Sequence, residues 1–256
     1  MFVRVLSFLD KENVIYKQQF GFRPKHSTMH AIISITEKIR EALDKGKFAC
    51  GVFVDLQKAF DTVNHEVLLT KLYQCGIRGN TYEWFKAYLT DRLQFVSILG
   101  FDSDKLSIKH GVPQGSVLGP LLFLVYINYL YKAILNSETY LFADDTNLLN
   151  INSNLRQLQK QVNTDLCLWV LAKKIYLNKT KTELIFFKKP NTGIPFNNIK
   201  INGMKLFPSE SVKYLGIYLD EHLNGSAHVG ILLPKLRRAN GMLSKIGHYT
   251  SAEQMK

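Results

Sequence analysis

Apolar and polar positions alternate along the chain with periods that change from segment to segment. In "HSTMHAIISITEKIREALDKG", Ile32, Ile35, Ile39, Ala42 and Leu43 keep helical spacing. Ser27 or Thr28 can cap the start of this helix and Gly46 its end. "FACGVFVDL" (48–56) is a short, continuous, valine-containing apolar run, which predicts a buried strand running out at Asp55. "NHEVLLTKLYQCG" (64–76) predicts a helix with a polar cap and a glycine stop, and "TYEWFKAYLTDR" another. "HGVPQGSVLGP" is a turn-rich loop feeding a long apolar helix. "TYLFADDTNLL" (139–149) reads as strand, turn at Asp144 and Asp145, strand. From Asn154, Leu155, Leu158, Val162, Leu166 and Trp169 trace an amphipathic helix. "ELIFF" is a strand, "IKINGMKLF" a hairpin turning at Asn202-Gly203, and "VKYLGIYLD" one further strand. The stretch from about Ala227 is helical and basic, with Lys235, Arg237, Arg238 and Lys245. Strands and helices mix without regular alternation, so the expected class is α+β.

Composition narrows the partners. With 256 residues, 46% of them hydrophobic, the chain can bury a substantial core. Lys plus Arg number 33 against 21 Asp plus Glu, a net +12, which favours a polyanionic partner, with a merely soluble basic protein as the reading that charge alone leaves open. Cys50, Cys75 and Cys167 are too few and too scattered for a disulfide framework or a zinc knuckle, which fits a reducing intracellular compartment. "MFVRVLSFLDKEN" is too short and too quickly charged for a secretory signal. Residues 117–135 approach the length of a membrane span, but Gly119, Pro120, Asn128 and Lys132 interrupt them, and a helix buried in a large core explains the run as well.

The paired aspartates pose the chemical question. Adjacent carboxylates repel and resist desolvation, so a turn flanked by apolar strands needs a reason to carry two. Asp55 ends one predicted buried strand and Asp144 tops another. If those strands are neighbours in one sheet, the carboxylates converge at its rim and, with Asp145, form a cage for Mg²⁺. Two such ions ~3.5–4 Å apart would activate an attacking hydroxyl and stabilise a leaving pyrophosphate. The alternative is three unrelated surface aspartates. No Ser-His-Asp arrangement, zinc spacing or Walker loop competes.

"FVDLQKAFDTVNH", "HGVPQGSVLGPLLF", "LFADDTNLL" and "LNKTKTELIFF" occur in that order. Together they resemble the palm motifs of reverse transcriptases, specifically those of non-LTR (LINE-like) retrotransposons of the jockey and chicken-repeat kind. "QQFGFRPKHST" resembles the fingers motif of that family and "VKYLGIYLDEHL" its primer-grip region. The resemblance implies a right-hand polymerase palm with partial fingers (1–47), palm (48–220) and the start of a thumb (221–256). It implies an RNA template, a DNA primer and deoxynucleoside triphosphates as partners, and two Mg²⁺ ions, with Mn²⁺ as the alternative, as cofactors.

Residue roles follow from the same resemblance. Asp55, Asp144 and Asp145, with the Leu56 carbonyl, would hold the metals. Phe60 would lie under the incoming sugar and exclude a 2′-hydroxyl; the other reading is a core phenylalanine. Gly111, Pro113, Gln114 and Gly115 would let backbone approach nucleotide and template. Lys181 matches a lysine near the pyrophosphate acting as general acid, with Lys179 competing. Arg23 would meet nucleotide or template phosphates, or be a surface arginine; Arg92 is a candidate for the nucleic-acid backbone. Tyr214, Leu215 and Gly216 would belong to the primer grip. The chain departs from the family at Tyr129, where relatives show an acidic residue, and at Lys173, where they show Asn. A first fingers motif, an endonuclease and a Cys/His knuckle are missing, which predicts a truncated element. The competing readings are an inactive nucleic-acid-binding remnant and another palm enzyme. "FADD" in place of "GDD" and the ring at Phe60 disfavour a viral RNA-dependent polymerase; "SVLGPLLF" disfavours a group II intron maturase.

Overall fold

A computed structural model of the chain describes residues 1–54, 56, 58–113, 115–173, 182–190, 192, 199–201 and 204–247. In chain order the elements are α1 (Phe2–Lys11), α2 (Thr28–Asp44), β1 (Phe48–Val54), α3 (His65–Gln74), α4 (Gly79–Leu89), β2 (Leu93–Gln94), β3 (Ser97–Ile98), β4 (Phe101–Asp102), β5 (Leu106–Ser107), α5 (Gly119–Ile127), a 3₁₀ turn (Leu130–Ala133), β6 (Glu138–Phe142), β7 (Asp145–Asn152), α6 (Leu155–Lys173), β8 (Glu183–Phe187), β9 (Ile199–Ile201), β10 (Met204–Leu206), β11 (Pro208–Ser209), β12 (Ser211–Tyr214), β13 (Ile217–Asp220) and α7 (Ser226–Gly247).

Five strands form the central sheet in the order β11-β8-β1-β7-β6. β1 runs antiparallel to both β7 and β8, and β11 adds a parallel edge on β8. Pro208, which cannot donate to a ladder, sits on that edge strand. β1 is continuously apolar because both faces of the sheet are covered. Cys50, Val52 and Val54 join a layer with α1, α3, α4, α5 and α6, while Ala49 and Phe53 join one with α2 and the β12–β13 hairpin. Sequence capping signals hold: the Ser27 hydroxyl accepts from His30 N at 3.3 Å and the Asn64 side chain from Val67 N at 3.0 Å. The buried Asp165 carboxylate accepts from the amides of Leu135 and Asn136 and from Asn150 Nδ2, fixing α6 against the chain entering β6.

Three expectations change. The apolar run at 117–135 is not one long helix: α5 is 9 residues, and the chain then turns through Leu130–Ala133. α5 is buried on every side except at Pro120, which explains its hydrophobicity without a membrane. Among the described residues no helix is long and apolar enough to cross a bilayer. "VKYLGIYLD" is not one strand but a hairpin, β12 paired with β13 through Leu215 and Gly216. Both turn residues have positive φ, +46° and +93°, as a tight two-residue hairpin turn requires. The start of the chain, where no element was expected, forms α1, anchored by Val5, Leu6 and Leu9. Strands β9 and β10 pair as read, with their turn at 202–203 outside the described residues.

Candidate active site

The convergence of the acidic positions depended on two strands being neighbours, and they are. β1 and β7 pair antiparallel with Val54 opposite Thr146. Asp145 precedes Thr146 and pairs with Phe142 across the β6–β7 hairpin, leaving Ala143 and Asp144 as a two-residue turn. Asp144 and Asp145 are both half-buried at this end of the sheet. Asp55, one residue beyond Val54, lies outside the described residues, as do Gln114, Lys179 and Lys181. Ala143 adopts φ +55°, an uncommon conformation for a residue with a side chain, costing on the order of 1 kcal/mol.

The turn is held from outside the sheet. Phe20 N donates to Leu141 O at 2.8 Å and Leu141 N to Gln18 O at 2.9 Å, so 18–20 lie along β6. Gln19 Oε1 accepts from Gly21 N at 2.8 Å and from Ala143 N at 3.1 Å. A Cβ on Gly21 would stand 2.2 Å from Ala143 N, so only glycine allows this approach. The next residue, Phe22, meets the Phe60 ring edge-on with centroids 6.2 Å apart, and Phe60 stacks on Phe123 at 4.3 Å. Phe60, Pro113, Gly115, Ser116, Gly119 and Pro120 line a pocket of about 340 Å³.

The loop at 111–113 is stitched to the chain that follows β1. Gly111 N donates to Val63 O at 2.7 Å, Val112 N to Phe60 O at 3.0 Å, and His65 Nε2 lies 2.6 Å from Gly111 O. A carbonyl can only accept, so His65 carries its proton on Nε2. Gly111 has φ +89°, and a Cβ there would press on the Asp61 backbone at 3.2 Å. Beside this loop, Asp61, His65, Arg92, Gln94, His110 and Pro113 contribute to a second pocket of about 370 Å³.

The sequence profile of the family described as "Reverse transcriptase (RNA-dependent DNA polymerase)" matches residues 2–219. The chain belongs to the reverse transcriptase family. It is 32% identical over 88% of its length to the probable RNA-directed DNA polymerase from transposon BS of Drosophila melanogaster, and 31% identical over 88% to that from mobile element jockey. It spans about a quarter of those relatives, 26% and 25%. Among solved structures, telomerase of Candida tropicalis truncated from its C-terminal domain matches with TM-score 0.59 and 16% identity, covering 88% of this chain and 44% of that one. Telomerase of Candida albicans matches with TM-score 0.58 and 14% identity, covering 87% and 36%. These structural likenesses establish the shared α+β fold.

Within this reverse transcriptase chain several nominated residues have structural duties. The Arg23 guanidinium donates to Tyr16 O and Gln19 O, both at 3.3 Å, and pairs with Asp10 at 3.2 Å. A phosphate would have to compete with those partners. Arg92 is half-buried with its guanidinium 5.6 Å from the Tyr88 ring centroid. Leu56 is a buried core residue. Tyr214 is not on the surface: its ring is buried and packs edge-on against Phe53 at 5.4 Å, which leaves Leu215 and Gly216 as the accessible part of that turn. Burial, and then the charge of Asp145, push the Tyr214 phenol up from its ordinary value, while Asn147 acts the other way. Tyr129 accepts or donates a 3.4 Å contact with Cys75 Sγ, and its phenol is pushed up to about 12, chiefly by burial.

The donors at the turn are carboxylate oxygens, the type a hard cation takes. Among the described residues no three His, Cys, Asp or Glu side chains gather into a metal cluster; the described part supplies two carboxylates, and Asp55 is the third candidate. Sequence reasoning missed Gln19 and His65. Both sit inside quoted motifs, but Gln19 follows Gln18 and His65 lies between Asn64 and Glu66, so neither stands out from its polar neighbours.

Proposed function

We propose that this chain is the polymerase part of a non-LTR retrotransposon protein, adding deoxynucleotides to a DNA primer opposite an RNA template. The observation that carries this reading is the β1–β7 register, which sets Val54 opposite Thr146 and so brings the chain leading to Asp55 beside Asp145. The division into partial fingers (1–47), palm (48–220) and start of thumb (221–256) is part of the same reading, as is an intracellular setting.

Asp55, Asp144 and Asp145, with the Leu56 carbonyl, would hold two Mg²⁺ ions. When bound, these supply acidification of the primer 3′-hydroxyl and neutralisation of charge on the triphosphate. The 3′-oxygen forms its bond to the α-phosphorus as the bond to the bridging oxygen of pyrophosphate breaks, and the hydroxyl proton passes to solvent. Lys181 would donate a proton to the leaving pyrophosphate. Phe60, stacked on Phe123, presents its ring to the pocket lined by Pro113 and Gly115, where it would exclude a 2′-hydroxyl. Gln114 and Gly115 would meet the nucleotide, with Arg23 a candidate for its phosphates. Arg92, Gly111, Pro113 and the Leu215–Gly216 turn below Tyr214 would contact template or primer.

The test is extension of a labelled DNA primer on an RNA template by the purified chain with deoxynucleotides and Mg²⁺. Extension that stops on chelation supports the reading. Tight duplex binding with no extension would favour a binding-only remnant.

A further inference from the structure

The β6–β7 turn is held in a conformation it does not favour by itself. Ala143 sits at φ +55°, and its amide faces away from the sheet's own ladder toward Gln19. Gln19 is 2% exposed, and its Oε1 gathers two backbone donors, Ala143 N and Gly21 N. Its Nε2 is buried with no hydrogen-bond partner. A glutamine kept only to satisfy a core would use its donors as well as its acceptor. This one is arranged around the carbonyl oxygen.

The rest of the segment enforces the same placement. The backbone of 18–20 bonds to Leu141, the residue two before Ala143. Gly21 abuts Ala143 N with no room for a Cβ. Upstream, the segment is tied at Tyr16, whose amide donates to Asn128 Oδ1 at 2.8 Å, and Arg23 bonds the Tyr16 and Gln19 carbonyls.

We infer that Gln19 is a positioning residue: through Ala143 N it fixes the turn that aims the Asp144 and Asp145 carboxylates, and Gly21 provides the backbone contact that lets it do so. The inference rests on the polymerase reading for its consequence, but the strap itself is read independently of activity. Partners that orient metal-binding groups without touching the metal typically change affinity or activity by about 10–100-fold when lost.

The experiment has two parts. In the parent chain, hydrogen exchange of the Ala143 amide should be slow, as for a buried bonded group; fast exchange overturns the strap without reference to catalysis. Next, binding of Mn²⁺ alone is followed by the electron paramagnetic resonance of the free ion. Gln19→Met, which keeps volume but loses the acceptor, should weaken Mn²⁺ binding by about tenfold and raise the Mg²⁺ concentration needed for nucleotide addition. Gln19→Glu keeps the acceptor oxygens and should restore Ala143 protection. Asp165→Asn, which loosens a remote buried hub, should lower thermal stability with Mn²⁺ affinity unchanged. A folded Gln19→Met chain with parental Mn²⁺ affinity, or equal losses in Asp165→Asn, overturns the inference. A parent chain that protects Ala143 but neither binds Mn²⁺ nor extends primer keeps the strap and removes the polymerase reading.

Discussion

Val54 stands opposite Thr146 in the antiparallel β1–β7 pair, so the end of β1 lies beside the residue that follows Asp145. β1 is fixed on both sides, by β7 and by β8, and apolar layers cover both of its faces. A slip of one residue would exchange its two faces, setting Val52 where Phe53 now packs against Tyr214. The register is therefore held by the core and is independent of anything bound at the rim.

Phe60→Val should raise ribonucleotide use relative to deoxynucleotide use. The ring is only half-buried, stacked on Phe123 and bordering the pocket at Pro113 and Gly115. Shortening it opens room for a 2′-hydroxyl and costs about 1–2 kcal/mol of stability, less than a fully buried Phe→Ala change. The measurement is the ratio of incorporation efficiencies for the two sugars; an unchanged ratio makes Phe60 a packing residue only.

His65→Leu should loosen the loop at 111–113. It removes the donor to the Gly111 carbonyl, leaving that oxygen part-buried and unpaired at a cost of about 1 kcal/mol. Thermal unfolding should shift downward modestly. If the pocket lined by Phe60, Pro113 and Gly115 takes the nucleotide as proposed, nucleotide KM should rise more than kcat falls, because the loop borders that pocket.

Primer–template binding by this chain should weaken steeply with salt. In α7, Lys235, Arg237, Arg238 and Lys245 are exposed together with Leu232, Leu236 and Leu243, and the helix rests mainly on β13. Pro234 inside it removes one helical hydrogen bond. Basic groups on so lightly supported a helix would bind phosphate through contacts that follow counterion release. Extension against excess trap template should yield short products. Long products from one binding event would mean α7 is a better clamp than its packing suggests.

Much of this architecture is legible in the sequence, for identifiable reasons. The 48–54 run shows as a strand because an all-apolar strand is covered on both faces, and the β6–β7 hairpin shows because aspartates stand near its turn, although the turn falls at Ala143 and Asp144, one residue earlier than the aspartate pair implies, with Asp145 already paired in β7. The length of α5 does not show, because a helix buried all round has no amphipathic stripe to end. The β12–β13 turn is hidden because leucine at φ +46° carries no turn signature. The strands between Leu93 and Ser107 are hidden because Ile98, Leu99 and Phe101 are exposed there, so polarity does not alternate. At the candidate site, the aspartates draw notice as adjacent carboxylates near a turn between apolar strands, and Phe60 only through the motif resemblance. The internal engagement of Arg23 and the burial of Tyr214 depend on contacts with Asp10 and Phe53, distant in sequence.

The most direct test of the account is single-nucleotide addition by the parent chain and by Asp144→Asn, on a primed RNA template with Mg²⁺. The substitution removes one charge from the turn without adding bulk, so fold and duplex binding should be retained. The account predicts Mg²⁺-dependent addition by the parent and a loss of at least about 100-fold in the variant, as expected when a metal-supported step worth several kcal/mol is removed. A folded Asp144→Asn chain that extends primer at a rate close to the parent would contradict the assignment of this turn as the active site.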